Sequence, residues 1–281
     1  MDFTFTARRP GPPLRPFVDT VWSAEGRIDY TRERILPTGA VTMIVNLGDP
    51  LGATNYRAED RLELYERGLV CGPQRGFLVN QPAGWERMVG VTFRVGGAAA
   101  FFGVDADDLT DLVLDFQAVW GAGAAALRDR LGAADRVGER LSVMEQELCA
   151  RWRPPAGGWP TVAYAVERLS RPAPPAIGAL ATDIGISAKH LIAQFRRHVG
   201  LTPKAYARIA RLNRLLAAID TRAPIQWDRL AHANDYYDQS HFNRDFRAFA
   251  GVSPSRYVAL RAEIYGDAIE PGESVTFVPV A

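Results

Sequence analysis

Residues 180–206 read LATDIGISAKHLIAQFRRHVGLTPKAY, and residues 230–257 follow the same pattern as LAHANDYYDQSHFNRDFRAFAGVSPSRY. Both stretches contain a Leu-Ala pair, two apolar residues four apart, a Gly-x-Thr/Ser-Pro turn and a closing Tyr. The offset is 50 residues at the Leu-Ala pair (Leu180 to Leu230) and 51 from the second helix onward (Leu191 to Phe242). The second copy therefore contains one additional residue between these two points.

Each copy predicts a short helix, a tight turn and a second helix, which is the arrangement of a helix-turn-helix motif. In the first copy, Gly185 suits a turn with positive φ, and Ser187 is a favourable N-cap for a helix over 188–199. Thr202-Pro203 then starts a long helix, ~25 Å long at ~1.5 Å per residue. The sequence therefore predicts two motifs joined by one helix, spaced so that both second helices enter successive major grooves of a duplex.

The positive charge of the chain is concentrated in this repeated segment. Residues 185–261 contain 13 Lys and Arg against 5 Asp and Glu (net +8), whereas residues 1–160 contain 18 against 21 (net −3). A basic module attached to a mildly acidic one favours a polyanion as the partner of the basic module alone. A solvated basic surface with no partner is the alternative interpretation.

Cysteine content and hydrophobicity favour a cytoplasmic protein. The two cysteines, Cys71 and Cys149, have no paired spacing, which fits a reducing compartment and excludes a cysteine-cluster metal site. Residues 1–10 contain two arginines but no apolar core follows them, so we expect no signal peptide. No apolar run approaches the length of a membrane span, so we expect no membrane association.

The first half of the chain has the pattern of strands. β-branched, partly alternating runs bounded by Gly and Pro lie at 41–47, 69–71, 76–80 and 88–95. Helices are predicted at 98–102, 124–131, 139–152 and 161–170. The apolar face of 139–152 packs either on its own domain or on a second copy of the chain.

These patterns predict an α+β protein. The expected parts are a β-rich domain (cupin-like or a small barrel) with flanking helices over 1–155, an all-α domain with both helix-turn-helix motifs over 156–265, and a C-terminal tail over 266–281. A short strand is expected in the tail at 275–278.

Polar side chains on and around the second helices are the candidates for DNA contact. Gln and Asn suit adenine, Arg suits guanine, and other basic side chains meet phosphates. The expected base contacts are Gln239, Ser240, Asn243, Arg244 and Lys189. The expected phosphate contacts are Arg196, Arg197, Lys204, Arg208, Arg247 and Arg256.

The repeated segment resembles the AraC/XylS family of bacterial transcription regulators. The residues that carry the resemblance are Gly185-Ile-Ser187, Leu191, Phe195, Gly200-Leu-Thr-Pro203, Tyr206, Asp238-Gln-Ser-His-Phe242, Arg244, Phe246 and Gly251-Val-Ser-Pro254. The resemblance implies DNA-binding control of transcription, often with an N-terminal domain that binds a small molecule or mediates dimerisation.

Two departures from the family pattern bear on DNA recognition. Asp235 stands where the family has a turn glycine, and Asp adopts the left-handed conformation less readily. Ile192 and Ala193 occupy positions of the first copy where the family often places polar or basic side chains. We therefore expect most base specificity from the second motif and shape-driven contact from the first.

The N-terminal half is similar to the partner domain found with a subset of these regulators, through 33–39, 44–47, 72–73 and 91–99. An effector pocket is expected there because barrel mouths favour ligand sites. Its candidate residues are Trp22, Arg34, Asn46, Trp85, Phe93 and Arg94. Filling a core is the alternative role for the aromatic ones, and a domain used only for dimerisation is a further alternative.

No sequence pattern of an enzyme active site is present. All four histidines, His190, His198, His232 and His241, lie in the DNA-binding half, so the β-rich half has no imidazole ligand for a metal. Gly-rich phosphate loops, His-Glu-x-x-His, Gly-x-Ser-x-Gly and Cys-x-x-Cys are also absent from the sequence. We expect no catalysis, no cofactor and no metal.

Double-stranded DNA is the expected partner, and a small-molecule effector, RNA polymerase and a second copy of the chain are left open. The alternative function is a small-molecule-binding or catalytic β-domain protein whose DNA-binding half is vestigial.

Overall fold

The structure is a computed structural model that describes residues 3–28, 31–82, 85–154, 157–266, 269 and 276–279. Its strands are β1 (Phe3–Arg8), β2 (Val18–Arg27), β3 (Glu33–Ile35), β4 (Thr42–Asn46), β5 (Leu51–Asn55), β6 (Glu63–Tyr65), β7 (Gly68–Cys71), β8 (Leu78–Gln81), β9 (Trp85–Phe93), β10 (Val113–Asp115) and β11 (Phe277–Pro279). Its helices are α1 (Ala99–Phe102), α2 (Phe116–Trp120), α3 (Ala124–Ala133), α4 (Val137–Arg151), α5 (Trp159–Ser170), α6 (Ile177–Ile184), α7 (Ala188–Val199), α8 (Pro203–Ala217), α9 (Trp227–Ala233), α10 (Gln239–Ala250) and α11 (Pro254–Tyr265).

Two antiparallel sheets form the N-terminal domain. The first has the order β1-β2-β9-β4-β7-β10, and the second has the order β11-β3-β8-β5-β6. A helical region follows, so the predicted α+β class with a β-rich N-terminal domain is confirmed. The predicted tail strand is found as β11, which pairs with β3; Val275, the first residue of that prediction, lies outside the described part of the chain.

The first sheet is covered on both faces. Val89 and Val91 of β9 pack with the flanking helices, where Met144 of α4 is fully buried, whereas Met88 packs toward the second sheet. Burial on both faces explains why Met88 and Val89 are adjacent apolar residues in β9, where a half-exposed strand would alternate apolar with polar ones. The apolar face of α4 packs on its own domain, which was one of the two predicted alternatives.

The second sheet separates the interior of the β-rich domain from the helical half. Ile35 pairs with Leu78, and both contribute to the core between the sheets. The next pair, Arg34 and Val79, points to the opposite side, and Val79 belongs to the core shared with the helices. Because side chains alternate along a strand, β3 and β8 contact both cores at once.

The helical half contains the two predicted motifs, α6–α7 and α9–α10, joined by α8. Buried side chains of both motifs and of α8 form one core. At 15 residues, α8 is about 22 Å long at about 1.5 Å per residue. In the described part of the chain, no helix combines the length and the apolarity that a membrane crossing requires.

Candidate nucleic-acid interface

The first motif folds as its sequence predicts. Gly185 follows α6 with a left-handed φ of +81°, and the hydroxyl of Ser187 accepts a hydrogen bond from the amide of His190 at 3.1 Å. This cap fixes the start of α7, and Leu191 and Phe195 are fully buried on its inner face. The opposite face of α7 is therefore directed away from the core.

The second motif reaches the same geometry with different residues. Asp235 takes the left-handed conformation (φ +63°) that Gly185 has in the first motif. The Asp238 carboxylate caps α10 by accepting from the amide of His241 at 2.6 Å. Phe242 and Phe246 are fully buried, so α10 also presents one polar face outward.

The residues predicted to contact bases lie on these outward faces. Gln239, Ser240, Arg244 and Lys189 are exposed and Asn243 is half-buried. Four of the five are on α10, near its N-terminal end, which is the end of a recognition helix that meets base edges. Their role in base reading stays a prediction.

The predicted phosphate contacts fall into two groups. Arg196, Lys204 and Arg247 are exposed, and no other described residue forms a hydrogen bond or ion pair with these side chains. The other three have acidic partners: Arg256 pairs with Glu263 at 2.9 Å, and Arg197 and Arg208 pair with the two aspartates described below.

Asp245 joins α10 to α8. Asp245 is 7% exposed, and its carboxylate accepts from Arg208 at 2.7 Å and from Arg211 at 2.8 Å. The Arg208 guanidinium also lies 5.2 Å from the centre of the Phe249 ring. The sequence interpretation missed Asp245 and Arg211; the available signal was a carboxylate between Phe242 and Phe246 on a helix with an otherwise apolar inner face.

Asp105 pairs with Arg197 of α7 and belongs to the β-rich domain, outside the first motif. It lies next to a 3-10 turn (Ala106–Leu109) of the β-rich domain and accepts from Arg197 Nε at 3.0 Å. Both side chains are about half exposed, so this ion pair is open to solvent and to competing ions.

The turns that follow α7 and α10 both lie against the β-rich domain. Gly200 and Gly251 have left-handed φ values of +80° and +69°. The Gly200 carbonyl accepts from the Thr110 hydroxyl at 2.6 Å, and a Cβ at Gly251 would lie 2.8 Å from Arg34 Nη1. The C-terminal ends of both helices therefore face the β-rich domain.

The residues predicted to line an effector pocket lie in different surroundings. Trp22 packs against Phe5 toward the inter-sheet core, whereas Phe93 is buried among the flanking helices on the other face of the same sheet. Arg34 pairs with Glu59 at 2.6 Å and lies over the Phe77 ring, facing the helical half.

The other three candidates lie apart from one another, at or beyond the ends of β4 and β9. The Asn46 amide donates to three loop carbonyls, the nearest that of Asp49 at 2.7 Å. Trp85 is 47% exposed, and Arg94 pairs with Asp19 at 3.6 Å. The structure therefore does not bring the six residues together around one cavity.

His198 is the buried histidine of α7 and lies between the two halves of the molecule. It is 2% exposed, and its ring meets the Trp159 ring edge-on at 6.2 Å. Burial lowers the pKa of His198 below its ordinary value of 6.5. Within the described ranges, no three or more His, Cys, Asp or Glu side chains are grouped so that they would hold a metal ion.

Two family models match the chain. Residues 180–259 match one described as a helix-turn-helix domain, and residues 6–115 match one described as a domain of unknown function (DUF6597). The first is the AraC-type domain, which confirms the resemblance seen in the repeated segment. A comparison with curated proteins gave no match.

Among solved structures, those of ToxT from Vibrio cholerae are similar to this chain. The P21 form covers 92% of this chain and 98% of its own, with 8% identity and a TM-score of 0.46. A structure bound to an unsaturated fatty acid covers 96% and 98%, with 8% identity and a TM-score of 0.45. The bound fatty acid is a ligand of ToxT.

The C-terminal half is thus an AraC-type helix-turn-helix domain that carries two such motifs with their polar faces outward. This makes the chain a DNA-binding regulator of transcription.

Proposed function

We propose that the chain binds specific DNA sites through the N-terminal ends of α7 and α10, and that its β-rich domain makes this binding responsive to a small-molecule effector. One observation carries the first part. Both second helices end in glycine turns seated on the β-rich domain, while their outward faces bear polar and basic side chains. A duplex approaching from the other side meets both helices.

The two helices differ in what they offer to DNA. Gln239, Asn243 and Arg244 of α10 have the donor and acceptor patterns that distinguish adenine and guanine in the major groove. On the outward side of α7, Ala193 is exposed and Ile192 is half-buried, and neither carries a hydrogen-bonding group in its side chain. We therefore assign base reading mainly to α10 and backbone positioning mainly to α7.

Effector response is supported by the two-sided second sheet. Ile35 and Leu78 contact the core between the sheets, while their neighbours Arg34 and Val79 face the helical half. Arg34 lies where a Cβ on Gly251 would collide, in the turn after α10. A molecule that shifts β3 or β8 from the inter-sheet side would therefore displace the turn that orients α10.

The direct test is binding of the full chain to genomic duplex fragments, with selection of the bound fragments and measurement of affinity against salt. We expect a small set of fragments to be enriched, with log affinity falling by about 0.9 per tenfold salt increase for each phosphate contacted. Absence of binding to any duplex at low salt would contradict the proposal and favour the vestigial alternative.

Effector response needs a separate measurement on the selected fragment. Small molecules drawn from the chemistry of the neighbouring genes are added to the complex, and we expect at least one to change the dissociation constant. As a control, the same molecules are tested on Arg34→Ala, which retains the α10 reading residues but loses the contact with the Gly251 turn. A response that is identical in Arg34→Ala would contradict the relay through the second sheet.

A further inference from the structure

The structure identifies which residue is the additional one in the second motif. In both motifs an amide closes the first helix: Ile186 donates to the Ala181 carbonyl at 3.0 Å, and Tyr236 donates to the Ala231 carbonyl at 3.1 Å. These two amides are 50 residues apart. The N-cap follows Ile186 directly in the first motif, but Tyr237 intervenes before the N-cap in the second.

Tyr237 is therefore a residue without a counterpart in the first motif. Its side chain is 85% exposed, whereas that of Tyr236 is buried and meets the Phe242 ring edge-on at 5.3 Å. Two adjacent tyrosines thus have opposite roles: one anchors the turn in the core, and the other projects from it at the N-terminal end of α10.

The turn that carries Tyr237 is held in place from several sides. The Asp235 carboxylate accepts from Arg214 at 2.8 Å and from the Ala173 amide at 3.0 Å. Arg211 donates to the Asp235 carbonyl at 3.2 Å and lies 4.2 Å from the centre of the Tyr236 ring. These contacts fix the backbone on one side of Tyr237, and the Asp238 cap fixes it on the other.

We propose that Tyr237 contacts the sugar-phosphate backbone of DNA, and this inference rests on the proposed function. Gln239 and Ser240, in the first turn of α10, are the residues assigned to base edges. Tyr237 lies just outside the helix, so with α10 in the major groove it faces the wall of the groove, where the phosphates are. Its hydroxyl donates to a phosphate oxygen, and its ring packs on the adjoining sugar.

The salt dependence of DNA binding distinguishes this contact from the arginine contacts. A phenol is uncharged at neutral pH, so it releases no counterion when it meets a phosphate. Loss of Tyr237 therefore lowers affinity without changing the slope of log affinity against log salt. It also lowers the affinity for all sequences alike, because phosphates carry no base identity.

The test compares Tyr237→Phe, Tyr237→Ala and the control Phe5→Ala on the selected fragment and on single-base variants of it. Phe5 is 58% exposed on an edge strand of the β-rich domain and serves as a matched exposed aromatic. We expect about 5- to 10-fold weaker binding for Tyr237→Phe, a greater loss for Tyr237→Ala and no change for Phe5→Ala. Thermal unfolding of all three checks that each remains folded.

The outcomes are distinct. Wild-type affinity in Tyr237→Ala would overturn the inference while leaving the proposed function standing. A loss confined to some base variants would also overturn it, because Tyr237 would then read a base. Failure of the wild-type chain to bind any duplex would instead remove the proposed function itself.

Discussion

The two helix-turn-helix motifs have nearly the same sequence pattern but are held in place by different parts of the molecule. In the first, Arg197 of the recognition helix is paired with Asp105 of the β-rich domain. In the second, Asp245 of the recognition helix is paired with Arg208 and Arg211 of the connecting helix α8. These ion pairs thus join the first motif to the β-rich domain and the second motif to the connecting helix of its own domain.

The two copies of the repeat therefore share the motif but not its surroundings. The Asp245 network is nearly buried and joins α10 to α8, so the β-rich domain contacts α10 at the Gly251 turn and not through this network. The Asp105–Arg197 pair is half exposed and crosses between domains. The base reading proposed for α10 thus belongs to the helix that is paired within its own domain, whereas the charge of α7 is partly neutralised by the other domain.

The largest effect is expected for Asp245→Ala. The substitution leaves two arginines facing each other without their shared carboxylate, and we expect a loss of about 2–3 kcal/mol in the free energy of unfolding, since both guanidiniums keep some solvent access. The matched control is Asp105→Ala, whose exposed pair contributes about 0.2–1 kcal/mol. Urea denaturation measures both free energies of unfolding. Equal losses in Asp245→Ala and Asp105→Ala would contradict the contrast between an ion pair within one domain and an ion pair between domains.

The next effect concerns base reading by the two helices. Arg244→Ala on α10 is expected to cost about 1–3 kcal/mol in DNA binding and to relax preference at one base position. Lys189→Ala on α7 is expected to cost less and to relax base preference less than Arg244→Ala does. Affinities on a panel of single-base operator variants measure this, and a uniform loss in Arg244→Ala would make that residue a phosphate contact.

The elements that could be predicted from the sequence are those whose ends or apolar patterns are marked by neighbouring residues. The range predicted for α7, 188–199, matches the observed Ala188–Val199 because the Ser187 cap and Gly200 mark its two ends. The β-branched run at 88–95 likewise predicted β9. In contrast, β2 was missed because Asp19, Ser23 and Glu25 interrupt its apolar pattern and because both of its neighbours, β1 and β9, are distant in sequence or weakly patterned.

The contacts that organise the interface are non-local, and therefore no pattern predicted them. Asp105 and Arg197 are 92 residues apart, and Arg208 and Asp245 are 37 apart. Sequence reasoning placed Arg197 and Arg208 among the phosphate contacts because both are basic and fall on polar positions. Only the packing of α7 on the β-rich domain and of α10 on α8 shows that each has an acidic partner.

A smaller effect is expected from pH, through His198 at the cross-domain contact. Burial lowers the pKa of His198, and the nearby Arg197 lowers it further, while the Gly157 carbonyl and Asp105 act in the opposite direction. The unfolded chain therefore binds the proton more readily than the folded one. The contribution of neutral His198 to the free energy of unfolding is therefore fully present above pH 6.5, its ordinary pKa. This contribution is lost as the pH falls through the lowered pKa.

Thermal unfolding at pH 7.5 and at pH 5 measures this effect. Wild type and the exposed-histidine control His190→Gln are expected to lose stability to the same extent on acidification. His198→Gln removes the titrating group, and its midpoint should fall less between the two pH values. An equal fall in all three proteins would show that other groups, such as the carboxylates, account for the whole dependence.

The smallest effect is expected for Asp105→Asn, which tests whether the Asp105–Arg197 ion pair weakens DNA binding. Asp105→Asn removes the negative charge that pairs with Arg197 and lies beside the outward face of α7. Because an exposed pair is worth about 0.2–1 kcal/mol, we expect DNA affinity to rise by up to about 5-fold at low salt. The slope against salt should steepen by about 0.9 as Arg197 becomes available to a phosphate. The control is Asp135→Asn, in the loop before α4. A rise in DNA affinity of the same size in Asp135→Asn would show that the change in net charge accounts for the effect. No rise in Asp105→Asn would show that Arg197 does not contact DNA even without its ion pair.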